Sequence, residues 1–142
     1  GIKQLLYRFT DTLFTNRKAI SFSQPCQFRY LHLNSPIDHR VELAEFVVFR
    51  DTSETQAIPL QLYRNVEGLY PTDQYSAKCV LDGNPLTFFR SREDNATLIF
   101  DMGNVTEFKK ILVIPPEMMI ISSNPEIIMN YFIRMDRTDG NL

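Results

Sequence analysis

The run Leu81-Asp82-Gly83-Asn84-Pro85-Leu86-Thr87-Phe88-Phe89 places a carboxylate, a side-chain amide and a hydroxyl at positions n, n+2 and n+5 around a tight turn. Hard cations use such a set, because calcium takes six to eight oxygens and a turn lets main-chain carbonyls converge with short oxygen-bearing side chains. The same residues are also ordinary turn formers, and Asp82 could cap main-chain amides with no ion involved. The two cysteines, Cys26 and Cys79, lack the close spacing of a zinc pair and are too few for a disulfide framework. They read as small buried hydrophobes; a disulfide between them would need an exported protein and a proximity that sequence does not establish. His32 and His39 would serve a hydrolase only beside a nucleophile and an orienting acid. There is no G-x-S-x-G, no H-E-x-x-H and no phosphate-cradling glycine loop, and the five glycines are not clustered. Both histidines therefore read as surface or strand residues.

The elements that must position these groups follow from period and punctuation. The chain has 142 residues, the length of one domain, and its 44% hydrophobic content is enough for a core. Fifteen basic against seventeen acidic side chains, with no dense basic tract, exclude a nucleic-acid partner. The longest apolar run, around Met118 to Ile121, is far below the roughly 18 residues of a spanning helix, so no membrane insertion is expected. Leu98, Phe100 and Met102 alternate with Thr97, Ile99 and Asp101, the period of a half-buried strand. Gly103-Asn104 reads as a turn, and Phe108 to Ile114 as a second strand stopped by Pro115-Pro116.

Further strands are expected at Leu5 to Phe9, Ala19 to Phe22, Phe28 to Leu33, Phe46 to Phe49, Leu60 to Tyr63 and Tyr131 to Met135. Val41 to Phe49 could be a helix by composition. So could the stripe Ile127, Ile128, Tyr131, Phe132 and Met135 after Asn124-Pro125-Glu126, but β-branched and aromatic residues favour strands in both. Arg64 to Lys78 reads as a loop-rich excursion. Short, numerous strands separated by polar or proline breaks imply an all-β domain, an antiparallel sandwich or barrel.

Three segments together carry a family resemblance. Leu81 to Phe89, then Leu98-Ile99-Phe100-Asp101-Met102-Gly103, then Ile111-Leu112-Val113-Ile114 resemble the discoidin, or coagulation-factor type C, family of galactose-binding-like domains. Phe28-Arg29-Tyr30-Leu31-His32-Leu33 and Ala44-Glu45-Phe46-Val47-Val48-Phe49 are similar to the final strands of that family, yet here they come first. The order implies a circular permutation in which the closing segment from Asn130 leads into a strand at Ile2 to Phe9, with the two ends side by side. Such domains occur in bacterial secreted proteins, so an extracellular, periplasmic or cell-surface location is expected although no signal peptide is present.

The resemblance implies a galactose-binding-like jelly-roll β-sandwich with a structural calcium ion. Its metal ligands would be Asp82, Asn84, Thr87 and Glu45, with main-chain oxygens near Cys79 and Ala44. It also implies a ligand site on loops at one end, for which Arg90, Arg92, Glu93 and Asn95 are the candidates, with Tyr70, Tyr75 or His39 nearby; the same stretch, Arg90 to Asp94, is by charge alone a solvated loop. The absence of Trp counts against strong carbohydrate binding. Asn95-Ala96-Thr97 and Asn104-Val105-Thr106 match the N-glycosylation pattern and mean little in a bacterial protein. The expected function is a non-catalytic carbohydrate-binding module, its partners a glycan or cell-surface polysaccharide and a neighbouring domain of the parent protein. The alternative is a structural or protein-interaction domain of the same fold. No enzyme is expected.

Overall fold

The structure, a computed structural model, describes residues 5–8, 17–35, 37–70, 75–116 and 131–138. Among the described residues eight strands follow in chain order: β1 (Leu5–Arg8), β2 (Lys18–Asn34), β3 (Glu42–Leu43), β4 (Glu45–Phe49), β5 (Gln61–Leu62), β6 (Phe89–Arg90), β7 (Thr97–Ile114) and β8 (Phe132–Asp136). A short 3-10 helix, Ala77–Leu81, precedes β6. All the strand pairings are antiparallel. Six strands form one sheet, with β1-β8-β2-β7-β4 along its path and β5 against β7; β3 and β6 form a separate pair. The all-β expectation therefore holds. No helix among the described residues is long and apolar enough to cross a membrane. The terminal strands are neighbours, with Leu5 opposite Met135. Asn124 to Glu126, Ile127, Ile128 and Met118 to Ile121 lie outside the described residues.

Two expected breaks are not breaks. Ala19 to Phe22 and Phe28 to Leu33 belong to one 17-residue strand, and Thr97 to Met102 continues through Gly103-Asn104 into Phe108 to Ile114 as one 18-residue strand. Each takes up its turn-like residues as a bulge: the β2–β7 register shifts between Ser21 and Cys26, around Pro25, and again between Phe28 and Tyr30. A bulge tolerates a proline because no ladder hydrogen bond is needed from it. On the β7 side Gly103 takes φ +86°, a conformation favoured by glycine, and its N–H donates to Asp101 Oδ1 at 2.7 Å. Asp101 also holds Arg29 through Nε and Nη2 at 2.9 and 3.2 Å, so the bulge is clamped to β2 by a two-point ion pair.

The core sits on one face of this sheet. Leu31, Leu33, Leu98, Phe100, Ile133 and Met135 are fully buried, as the alternation in Thr97 to Met102 requires. Phe46 of β4 stacks on Phe100 with ring centres 4.2 Å apart. Burying each such side chain contributes about 1.5–3 kcal/mol. Tyr131 is buried beneath β3, where its hydroxyl accepts from the Glu42 N–H at 2.9 Å and donates to the Glu42 carbonyl at 3.0 Å. The two-stranded sheet is thereby tied to the chain just before β8.

Candidate functional site

The 3-10 helix ends at Asp82, and the turn that follows is closed by its own side chains. Asp82 Oδ1 accepts from the Asn84 N–H at 2.8 Å, Oδ2 accepts from the Thr87 hydroxyl, and Asn84 Oδ1 accepts from the Leu86 N–H at 3.0 Å. Gly83 sits at φ +73°, and its N–H donates across to Glu45 Oε2 at 3.3 Å. Glu45 opens β4 and is only 4% exposed. The fold thus brings Asp82, Asn84, Thr87 and Glu45 together although Glu45 is remote in sequence.

The two carboxyl groups of this cluster are in different states. Burial first, then the hydrogen bond and charge of Asp82, push the Glu45 carboxyl up to about 8. Partial burial works to raise Asp82 as well, but the bonds from Thr87 and the Asn84 N–H outweigh it and hold that carboxyl below the usual range. At neutral pH the pair carries one proton, on Glu45 and directed at Asp82. Among the described residues Glu45 Oε1 finds no donor, and neither carboxyl has a basic partner.

The calcium expectation meets a mismatch here. An ion needs six to eight oxygens. In this turn both Asp82 oxygens, Asn84 Oδ1 and Glu45 Oε2 already accept hydrogen bonds, and the Asn84 carbonyl accepts from the Thr87 N–H at 3.3 Å, with the Thr87 hydroxyl oxygen 3.0 Å away. Among the described residues no three His, Cys, Asp or Glu side chains group as metal ligands. Of the carboxyl and amide oxygens in the expected set, only Glu45 Oε1 accepts no hydrogen bond, too few free side-chain acceptors for a calcium cage as the turn is folded.

The second set of candidates forms a rim around β3, β6 and the loop after it. Arg90 Nε lies 2.9 Å from Glu42 Oε1, and Arg90 Nη1 donates to the Tyr70 hydroxyl at 3.3 Å. Arg92 pairs with Glu67 at 2.6 Å, and its carbonyl accepts from Arg40 Nε at 3.3 Å. Asn95, at φ +57°, accepts the Asp38 N–H on Oδ1 at 2.8 Å and donates its own N–H to the His39 carbonyl at 2.9 Å. The Glu93 side chain is exposed, and its carbonyl accepts from the buried Ser91 hydroxyl at 2.8 Å. Arg90, Arg92 and Asn95 thus hold loops together, while Tyr70, 37% exposed, packs at 5.2 Å from Tyr75, which in turn meets Phe88 at 5.0 Å. The roles of Glu42 and Glu67 were not visible in the sequence, because nothing local marks which acid a given arginine will meet.

His32 does meet an acid. Its Nε2 lies 2.8 Å from Asp136 Oδ2, with side chains 2% and 0% exposed, but Nδ1 faces Arg134 Nη2 at 2.9 Å. A general base needs a free ring nitrogen toward its nucleophile; here a guanidinium donor occupies that nitrogen. Burial first, then Arg134, lower the imidazole below its ordinary value, so His32 is neutral, with Nε2–H toward the acid. Cys26 and Cys79 are buried thiols that form no disulfide.

Comparison of the chain with protein-family models, with curated proteins and with solved structures finds no match.

Proposed function

We propose that the chain is a non-catalytic binding module that holds a glycan at the Tyr70–Tyr75–Arg90 rim, on a galactose-binding-like jelly-roll sandwich belonging to an exported bacterial protein. The observation that supports this reading is the part-exposed Tyr70 ring, braced by Tyr75 and tethered through its hydroxyl to Arg90. A sugar presents an apolar face and a ring of hydroxyls. A fixed aromatic can cover the first while neighbouring charged groups meet the second. The rim's arginines are already paired with Glu42 and Glu67, which reduces the ordering that binding requires. The occupied ring nitrogens of His32 support a non-catalytic role for that residue.

The test is binding to a glycan array, repeated with Tyr70→Ala. A specific signal is expected, and removing a central aromatic should weaken it about 30-fold or more. A second reading, an interaction domain, is favoured by Ile37 and Leu86, which are 73% and 70% exposed. Blank arrays together with capture of a neighbouring domain of the parent protein would replace the first reading by the second.

A further inference from the structure

We infer that the cleft between β4 and the Ala57–Leu60 segment takes a primary alkylammonium group of the kind a lysine side chain carries. Strand β4 lies at the edge of its sheet, and residues 56–58 continue as its outer partner: the Ile58 N–H donates to the Val48 carbonyl at 2.8 Å, and the Arg50 N–H to the Gln56 carbonyl at 2.9 Å. Pro59 has no N–H with which to extend this pairing. The chain then departs toward β5, which pairs with the other half of β7. The departure leaves a cleft of about 400 Å³. Phe46, Ile58, Leu60 and Leu81 make its walls apolar, and Glu45 and Gly83 make one end polar.

Three observations select the occupant. The volume falls in the range of small-molecule and side-chain pockets, and the apolar walls suit an aliphatic stem. The polar end carries Glu45, a buried carboxyl with no basic partner among the described residues, which calls for a cation. The form of that cation follows from the oxygens on offer. Glu45 Oε2 is held by the Gly83 N–H, so only Oε1 is uncommitted. A guanidinium fork wants two adjacent acceptors and a hard metal ion wants six or more, whereas an ammonium can satisfy one oxygen at a time as a compact point charge. This site is separate from the glycan rim and does not depend on it.

The experiment follows the Gly83 and Leu60 amides by NMR while the full chain is titrated with Nα-acetyl-lysine N-methylamide. Parallel titrations use the norleucine, arginine and calcium chloride counterparts. The lysine compound is expected to shift both amides, with the norleucine compound about 10-fold weaker or worse. Glu45→Gln should remove most of that difference, and Ala57→Trp, at the exposed mouth, should block both ligands. Equal binding of lysine and norleucine compounds would reduce the cleft to an apolar hollow and overturn the assignment. So would a stronger response to the arginine compound, or shifts with calcium chloride and none with the lysine compound. The Tyr70→Ala variant should respond as wild type, so failure here and failure of the glycan reading are distinguishable.

Discussion

The rim around Arg90 and the cleft beside Glu45 handle charge in opposite ways. At the rim both arginines find a complement: Arg90 meets Glu42 and Arg92 meets Glu67, while the neutral Asn95 fastens the Asp38–His39 loop. At the cleft two acids lie against each other without a cation among the described residues, and a proton must take the place of one. Paired charges stabilise a shape and then have little left to offer a ligand beyond the surface they support. A buried acid that must hold a proton for want of a cation leaves a demand that an incoming group can satisfy. Sequence composition would rank the two regions the other way, since the rim holds more charged residues.

Three changes would break or sharpen this contrast. The largest effect should come from Phe46→Ala, which removes the ring stacked on Phe100 and the wall of the cleft; urea unfolding should show a loss of about 3–5 kcal/mol. A loss below about 1 kcal/mol would mean that the neighbours close over the gap, and the cleft would then be soft rather than built.

Next comes Glu45→Gln. In the folded chain Glu45 holds its proton up to about 8, against an ordinary value of 4.5. Between those values the native state binds a proton that the unfolded chain has lost, so this residue's stabilising share is complete at low pH and declines as pH rises, by at most about 1.4 kcal/mol per pH unit. His32 works in the opposite sense below 6.5, because its value in the fold is lowered. The difference between variant and wild type isolates Glu45. Thermal unfolding should show Glu45→Gln gaining on wild type from pH 5 to pH 8, and parallel curves would remove the acid pair from the account.

The smallest effect should come from Arg92→Ala. Its side chain and that of Glu67 are 57% and 71% exposed, so breaking the pair should cost at most about 1 kcal/mol, less at high salt. A larger loss in urea unfolding would show that the rim depends on that ion pair more than its exposure suggests.

Much of the molecule was legible without coordinates where the signal is local. The alternation of Leu98, Phe100 and Met102 names both the strand and its buried face, and the Asp82 turn is closed by the short side chains whose types announced it. The strand boundaries misled where Gly103-Asn104 and Pro25 imitated turns: whether such residues reverse the chain or bulge out depends on the partner strand opposite them. The link from Asp82 to Glu45 came from family resemblance rather than from any pattern around either residue, and the cleft at Ala57 to Leu60 had no sequence signal.

By itself the sequence determined the all-β character, the inward face of the Thr97 to Met102 strand and the closure of the Asp82 turn, because these depend on side chains within a few residues of one another. Tertiary structure alone decided which acid meets which arginine, why His32 has no free nitrogen, and where two carboxyls are left facing each other. Those outcomes depend on register between segments far apart in the chain, and a shift of one residue would send the same side chains to the other face.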